Sequence, residues 1–149
     1  MIEFDDLNIN QCIELGVHEI PEEEIVRFAA AWDPQGFHLH QEDGKASLFG
    51  SLCASGWHTA VILHRLTVDR FLSRVKALGS AGLDGLKWPK PVFPGDTLKA
   101  ELVITGKRIS KSRPNVGILT TESLVHNQNN DCVLVQNAVL MIDRGQGTP

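Results

Sequence analysis

The sequence predicts an α+β fold in which an antiparallel sheet curls around one long buried helix. Three observations predict it. Residues 51 to about 71 form an apolar stretch with helical spacing, and Leu52, Trp57, Val61, Ile62, Leu63, Leu66, Val68 and Phe71 cover much of its circumference. Strand-like runs then follow at 83–88, 97–107, 116–126 and 132–142. The segments between them are rich in Gly, Pro, Asn and Asp, the residues that tight turns select.

Taken in order, residues 12–17 read as a short strand, and Ile20-Pro21 announces a helix. Proline suits the first helical position, and Glu22, Glu23 and Glu24 fall where the positive end of the helix dipole favours carboxylates. Ile25, Phe28, Ala29 and Trp32 give an apolar stripe at helical spacing. This helix ends at Trp32 or Asp33, because Pro34 disfavours helical geometry in the residue before it. Residues 33–49 carry Pro34, Gly36 and Gly44 with no sustained apolar period. They read as an ordered crossing loop with a helical turn around 42–47.

The long helix follows, with Arg65, Arg70 and Arg74 towards its C-terminal end, where cations suit the dipole. The chain changes character at Gly79-Ser80-Ala81-Gly82, after which the strand-like runs begin. In the next strand Leu98, Ala100, Leu102 and Ile104 alternate with Thr97, Lys99 and Glu101, the period of a half-buried strand. Residues 127–131 join the last two strands as a hairpin. The final strand is apolar on both faces, through Val133, Val135, Val139 and Met141 and through Leu134, Ala138, Leu140 and Ile142, so it is expected to be covered on both sides.

Size and composition narrow the function. The 149 residues fit one domain, 1–149, without repeat or low-complexity linker, and can bury a core without a staple or metal. A net charge of −4 argues against general nucleic-acid or anionic-membrane binding, although Lys107, Arg108, Lys111 and Arg113 form a local basic spot suited to a phosphate. Cys12, Cys53 and Cys132 show no zinc or CxxC spacing, so free thiols in a reducing compartment are expected. The acidic N-terminus lacks the pattern of a signal peptide, and the longest apolar run is broken by His58, His64 and Arg65. A cytoplasmic protein is the expectation.

Chemistry concentrates in Asp33-Pro34-Gln35-Gly36-Phe37-His38 and in Phe49-Gly50-Ser51-Leu52-Cys53-Ala54-Ser55-Gly56-Trp57-His58. Asp33 and His38 lie at i and i+5 across Pro and Gly, so they share an irregular turn rather than a helix face. A small-residue helix start then offers unpaired backbone N–H groups. Proton-transfer groups beside such an anion-stabilising end suit chemistry next to a carbonyl. Each residue also has a plainer role: Asp33 as a turn former, His38 as a solvated loop histidine, and Gly50 as a site of close helix-to-sheet approach. Ser55 and His58 share a helix face, but no acid follows at a useful offset for a nucleophile triad. His58 is expected to pack and bond the backbone, Trp57 and Trp88 to fill the core, and Cys53 to be inert filler.

These segments resemble the MaoC-like dehydratases, the hot-dog-fold group that includes the (R)-specific enoyl-CoA hydratases. Asp33-Pro34-Gln35-Gly36-Phe37-His38-Leu39-His40 is similar to the hydratase signature Asp-x-Asn-Pro-x-His-x-Asp, with both catalytic positions kept. The stretch beginning at Phe49 is similar to the FGG-x-x-A-S-G-W-H-T segment of bacterial members. Trp88-Pro89-Lys90-Pro91-Val92-Phe93-Pro94-Gly95-Asp96-Thr97 and Ser110-Lys111-Ser112-Arg113-Pro114 resemble their later motifs. Gln35, Gly36 and His40 depart from the signature. The resemblance implies a hydro-lyase without metal or cofactor, acting on an acyl-CoA or acyl carrier protein thioester. Asp33 and His38 would be catalytic. Gly50 would be the oxyanion donor, with Ser51, Phe37 and Leu52 beside the substrate. It further implies a homodimer with sheets joined edge to edge, and it leaves open a thioesterase or a non-catalytic acyl-thioester binder.

Overall fold

The structure, a computed structural model, describes residues 1–145. A short 3-10 turn, Phe4–Asp6, precedes strand β1, Cys12–Glu19. Helices α1, Glu22–Trp32, α2, Gly36–Leu39, and α3, Gln41–Ala46, lead to the long helix α4, Gly56–Arg70. Strands β2, Ala77–Lys87, β3, Thr97–Ile109, β4, Val116–His126, and β5, Cys132–Asp143, complete the chain. All pairings are antiparallel, in the order β1-β3-β4-β5-β2. The sheet wraps α4, and this is the α+β hot-dog arrangement.

Alternation builds the core. Leu98, Ala100, Leu102 and Ile104 point inward from β3 and are buried, as the period-two pattern requires. From α4, Ile62 and Leu63 meet them, and from α1 come Ile25 and Ala29. Pro21 sits at the α1 N-cap with the three glutamates in its first turn, and the helix stops at Trp32, one residue before Asp33. No helix among the described residues is long and apolar enough to cross a membrane. Cys12, Cys53 and Cys132 are unpaired thiols.

Four expectations need correction. The long helix begins at Gly56, not at residue 51. Residues 52–55 are buried but extended, because Cys53 N–H donates to the Phe37 carbonyl (3.1 Å) and Ala54 N–H to the Val92 carbonyl (2.8 Å). Their apolar character reflects core position rather than helix. Strand β2 begins at Ala77 rather than at residue 83, so Gly79 and Gly82 lie inside it, at φ 144° and 132°, where register shifts mark bulges. The crossing loop also holds α2 in addition to the helical turn expected near residue 42.

The fourth correction concerns cover. Helix α4 is not buried on several sides: Trp57, Val61 and Val68 are exposed on its outer face. Trp32 of the α1 stripe is exposed as well. Strand β2 is exposed along nearly its whole length.

Candidate active site

Asp33 caps the end of α1, its N–H bonded to the Ala29 carbonyl at 2.9 Å. Pro34 turns the chain, and the one-turn helix α2 brings His38 back against it. The Asp33 Oδ2 and His38 Nε2 atoms lie 3.4 Å apart, with the imidazole 6% and the carboxylate 18% exposed. His38 Nδ1 sits 2.7 Å from the Cys53 carbonyl. A carbonyl only accepts, so Nδ1 carries a hydrogen, and the ring turns Nε2 towards Asp33. At 3.4 Å the two groups face one another across a gap that a shared water can bond from the side.

Asp33 is held by two donors. The Ser55 hydroxyl donates to Oδ2 and the Gln35 amide to Oδ1, each at 2.7 Å. Burial alone would raise this carboxyl, but the Ser55 and Gln35 hydrogen bonds and the His38 ring together hold it below the usual carboxylate range. The group is therefore a fixed anion. Gln35, which departs from the asparagine of the signature, supplies one of its two direct donors.

Gly56 opens α4 beside this pair. Its N–H and that of Trp57 have no backbone acceptor among the described residues, as first-turn amides lack intrahelical partners. The Trp88 indole packs on Gly56 and donates to its carbonyl at 2.8 Å. A Cβ on Gly56 would stand 2.6 Å from the Trp88 ring, so only glycine fits. Asp33, His38, Gly56, Phe37 and Trp88 all line one cleft of about 460 Å³.

The structure separates the other expected site residues from this cleft. Gly50 lies on an exposed turn after α3, six residues before α4, with its N–H donated to the Ser47 carbonyl at 3.2 Å. Its φ of 72° explains the glycine, and nothing lies within 4 Å of a Cβ there, so close approach is not the reason either. The donor at the helix entrance is Gly56. Ser51 neighbours Gly44 outside the cleft, and Leu52 is fully buried in the core. Phe37 does line the cleft, with Phe49 against it at 5.4 Å between ring centroids.

Trp57 and Trp88 are not core: they are 58% and 40% exposed and meet edge to face at the mouth of the cleft. Burial pushes the Cys53 thiol up to about 11, which keeps it inert, while its carbonyl fixes the His38 tautomer. His58 bonds a side chain rather than backbone. Its Nε2 lies 3.0 Å from Glu24 Oε1, which His18 Nε2 also meets at 2.9 Å, and its ring stacks on Phe28 at 4.6 Å. Sequence reasoning missed Ser55 as a partner of Asp33. The Ser-Gly pair before a helix was the available signal, since serine there is an N-cap residue.

Comparison with known proteins follows the same lines. A family model described as "MaoC like domain" matches residues 7–127. The crystal structure of the MaoC-like dehydratase from Rhodospirillum rubrum superposes with a TM-score of 0.92 at 37% identity, over 97% of this chain and 99% of that one. The uncharacterized protein YdeM of Bacillus subtilis is 25% identical over 96% of this chain and its own full length. R-Hydratase PhaJ1 from Pseudomonas aeruginosa shares the fold, with a TM-score of 0.73 at 24% identity over 97% of this chain and 87% of that one. With the hot-dog fold, the matched domain and the near-complete alignment in hand, this chain belongs to the MaoC-like family.

Proposed function

We propose that the protein is a hydro-lyase that reversibly adds water to a 2-enoyl thioester, with Asp33 and His38 activating the water. The observation that carries this reading is the 3.4 Å approach of a carboxylate oxygen and an imidazole Nε2 in a cleft that also holds the Gly56 amide, which has no backbone acceptor among the described residues. Relatives named as a dehydratase and an (R)-hydratase support the reaction class.

The chemistry follows from the donors. A water bridging Asp33 and His38 gives one proton to Nε2 as its oxygen bonds the β-carbon. Negative charge moves to the thioester oxygen, where the Gly56 N–H donates to it. The Nε2 proton then passes to the α-carbon, so H and OH add from one face. Asp33, held below its ordinary range, orients the water and steadies the imidazolium. The pantetheine arm of acyl-CoA or acyl carrier protein would enter past Trp57 and Trp88. Free thiols fit a cytoplasmic setting, and the uncovered β2 edge fits a homodimer.

Loss of conjugated absorbance on incubation with crotonyl-CoA and longer 2-enoyl-CoAs tests the proposal. Asp33→Asn and His38→Ala are each expected to lower kcat by about 10²–10⁴-fold. Undiminished turnover in either removes its role. Ser55 donates to Asp33 and has no imidazole partner, so nothing favours a serine thioesterase. The same incubation, run with saturated acyl-CoAs and a thiol reagent, is expected to release no free CoA.

A further inference from the structure

A second cavity, of about 410 Å³, opens between α1, α4 and β1. None of its described lining residues belongs to the cleft of Asp33 and His38. Helical spacing builds its walls. Glu24, Phe28 and Trp32 recur every four residues on α1, as His58, Ile62 and Leu66 do on α4. Each helix therefore turns one polar and two apolar side chains towards the same hollow.

The polar end holds an unmet acceptor. His58 is only 4% exposed, and its Nε2 lies 3.0 Å from Glu24 Oε1. A carboxylate oxygen accepts, so Nε2 carries the hydrogen. Burial lowers the imidazole from its ordinary value, and His18 and Arg27 add to this against the pull of Glu24. The neutral ring then keeps a lone pair at Nδ1. That atom is buried and has no hydrogen-bond partner among the described residues. Phe28 covers one face of the ring and Glu24 takes the Nε2 edge, which leaves the Nδ1 edge for an occupant of the cavity. A buried acceptor without a donor is costly, so a donor that reaches it is bound favourably.

Charge and shape define the rest of that occupant. Arg27 is exposed and forms no ion pair among the described residues, whereas the Arg65 guanidinium is taken by Asp69 at 2.8 Å. Glu24 is engaged by His18 as well as His58, so the free charge at this end is the Arg27 cation. Beyond it the wall is apolar: Ile62 and Leu66 continue along α4, with Phe28 and the exposed Trp32 on α1. From His58 to Leu66 the helix rises about 12 Å, room for an alkyl chain of medium length.

We infer that this cavity is a second binding site, for a free medium-chain hydroxy acid: its hydroxyl donates to His58 Nδ1, its carboxylate meets Arg27, and its alkyl chain lies along α4 beside Phe28 and Trp32. A plain fatty acid leaves Nδ1 unmet, and an alcohol leaves Arg27 unmet. Binding here requires no turnover at Asp33 and His38.

Solution NMR with 3-hydroxyoctanoate tests this, because the three tryptophans of the chain separate the two sites. Trp32 borders the cavity, and Trp57 and Trp88 border the cleft. On titration the Trp32 indole N–H and the His58 Nδ1 signals are expected to shift and to saturate together. With affinity read from the Trp32 signal, octanoate and 1,3-octanediol are each expected to bind about tenfold more weakly than the hydroxy acid. Arg27→Glu, on the exposed rim, is expected to weaken 3-hydroxyoctanoate about tenfold or more. Silence of the Trp32 signal overturns the inference and leaves water as the partner of Nδ1. A response confined to Trp57 and Trp88 also overturns it, by placing the acid in the cleft. So does octanoate binding as tightly as the hydroxy acid, or undiminished binding in Arg27→Glu.

Discussion

Asp33 shows how two neutral donors set the working state of a single charge. The Ser55 hydroxyl and Gln35 amide keep the carboxyl below its ordinary range against the opposing effect of burial. An acid with a depressed folded value lends stability above its unfolded value, and this is lost as pH falls through the folded one. In the proposed reaction the same sign governs activity, because a protonated Asp33 has lost the negative charge that orients the water and steadies the imidazolium. Ser55→Ala removes a lowering contact, so the acid limb of the kcat/KM profile is expected to move to higher pH. A pH–rate profile on a 2-enoyl-CoA reads this directly; a limb that stays in place would show that Asp33 does not set it. Gly56→Ala tests the neighbouring residue. The added methyl meets the Trp88 ring, which its bond to the Gly56 carbonyl holds in place, so a loss of about 1–3 kcal/mol is expected in chemical denaturation.

Among the elements, α1, β1 and α4 meet through Glu24, His18 and His58. Glu24 accepts from both imidazoles, and His58 is buried against Phe28. Burial pulls the His58 imidazole below its ordinary value more strongly than Glu24 raises it, with His18 and Arg27 adding to the lowering. The unfolded chain then binds more protons than the native one below about pH 6.5, so stability falls with pH from there down to the folded value. The thermal midpoint is expected to drop between pH 7 and 5, and the drop to shrink in His58→Gln, where nothing titrates. An equal drop in both proteins would place the effect elsewhere. The elements also mark how far local pattern reaches. Pro34 and the acidic first turn delimit α1, and alternation delimits β3, because those signals lie in the residues themselves. The start of α4 does not: residues 52–55 are held extended by carbonyls of Phe37 and Val92, distant in sequence, and an apolar run looks the same in either conformation. That displacement is why Gly50 stood out in the sequence and Gly56 did not. The spacing of Asp33 and His38 across Pro34 was legible for the converse reason, since a short rigid turn fixes it locally.

For the molecule as a whole, one helix on a five-stranded sheet gives an unequal distribution of cover. Strands β3, β4 and β5 lie in the middle of the sheet, whereas β2 has β5 on one side, a free edge on the other, and is exposed over residues 77–84, with only Leu86 packed against the core. Sequence alone pointed to strands needing cover on both sides, but could not say which strand lacked it, because the glycines at 79 and 82 hide the first half of β2 and only residues 83–88 read as strand. An eleven-residue edge with two charged side chains is a poor end to a sheet in a lone chain, and pairing with its own copy is one way to cover it. If β2 pairs with its copy, the backbone N–H groups on its outer side are bonded and exchange slowly, on a par with those that face β5. Hydrogen exchange resolved to single amides is expected to show protection along both sides of β2 in wild type and along the β5 side alone in Leu83→Lys. Fast exchange of the outer amides in the wild-type protein would mean that the edge is open in solution, and that the cover for β2 and for the outer face of α4 comes from something other than a second copy of this chain.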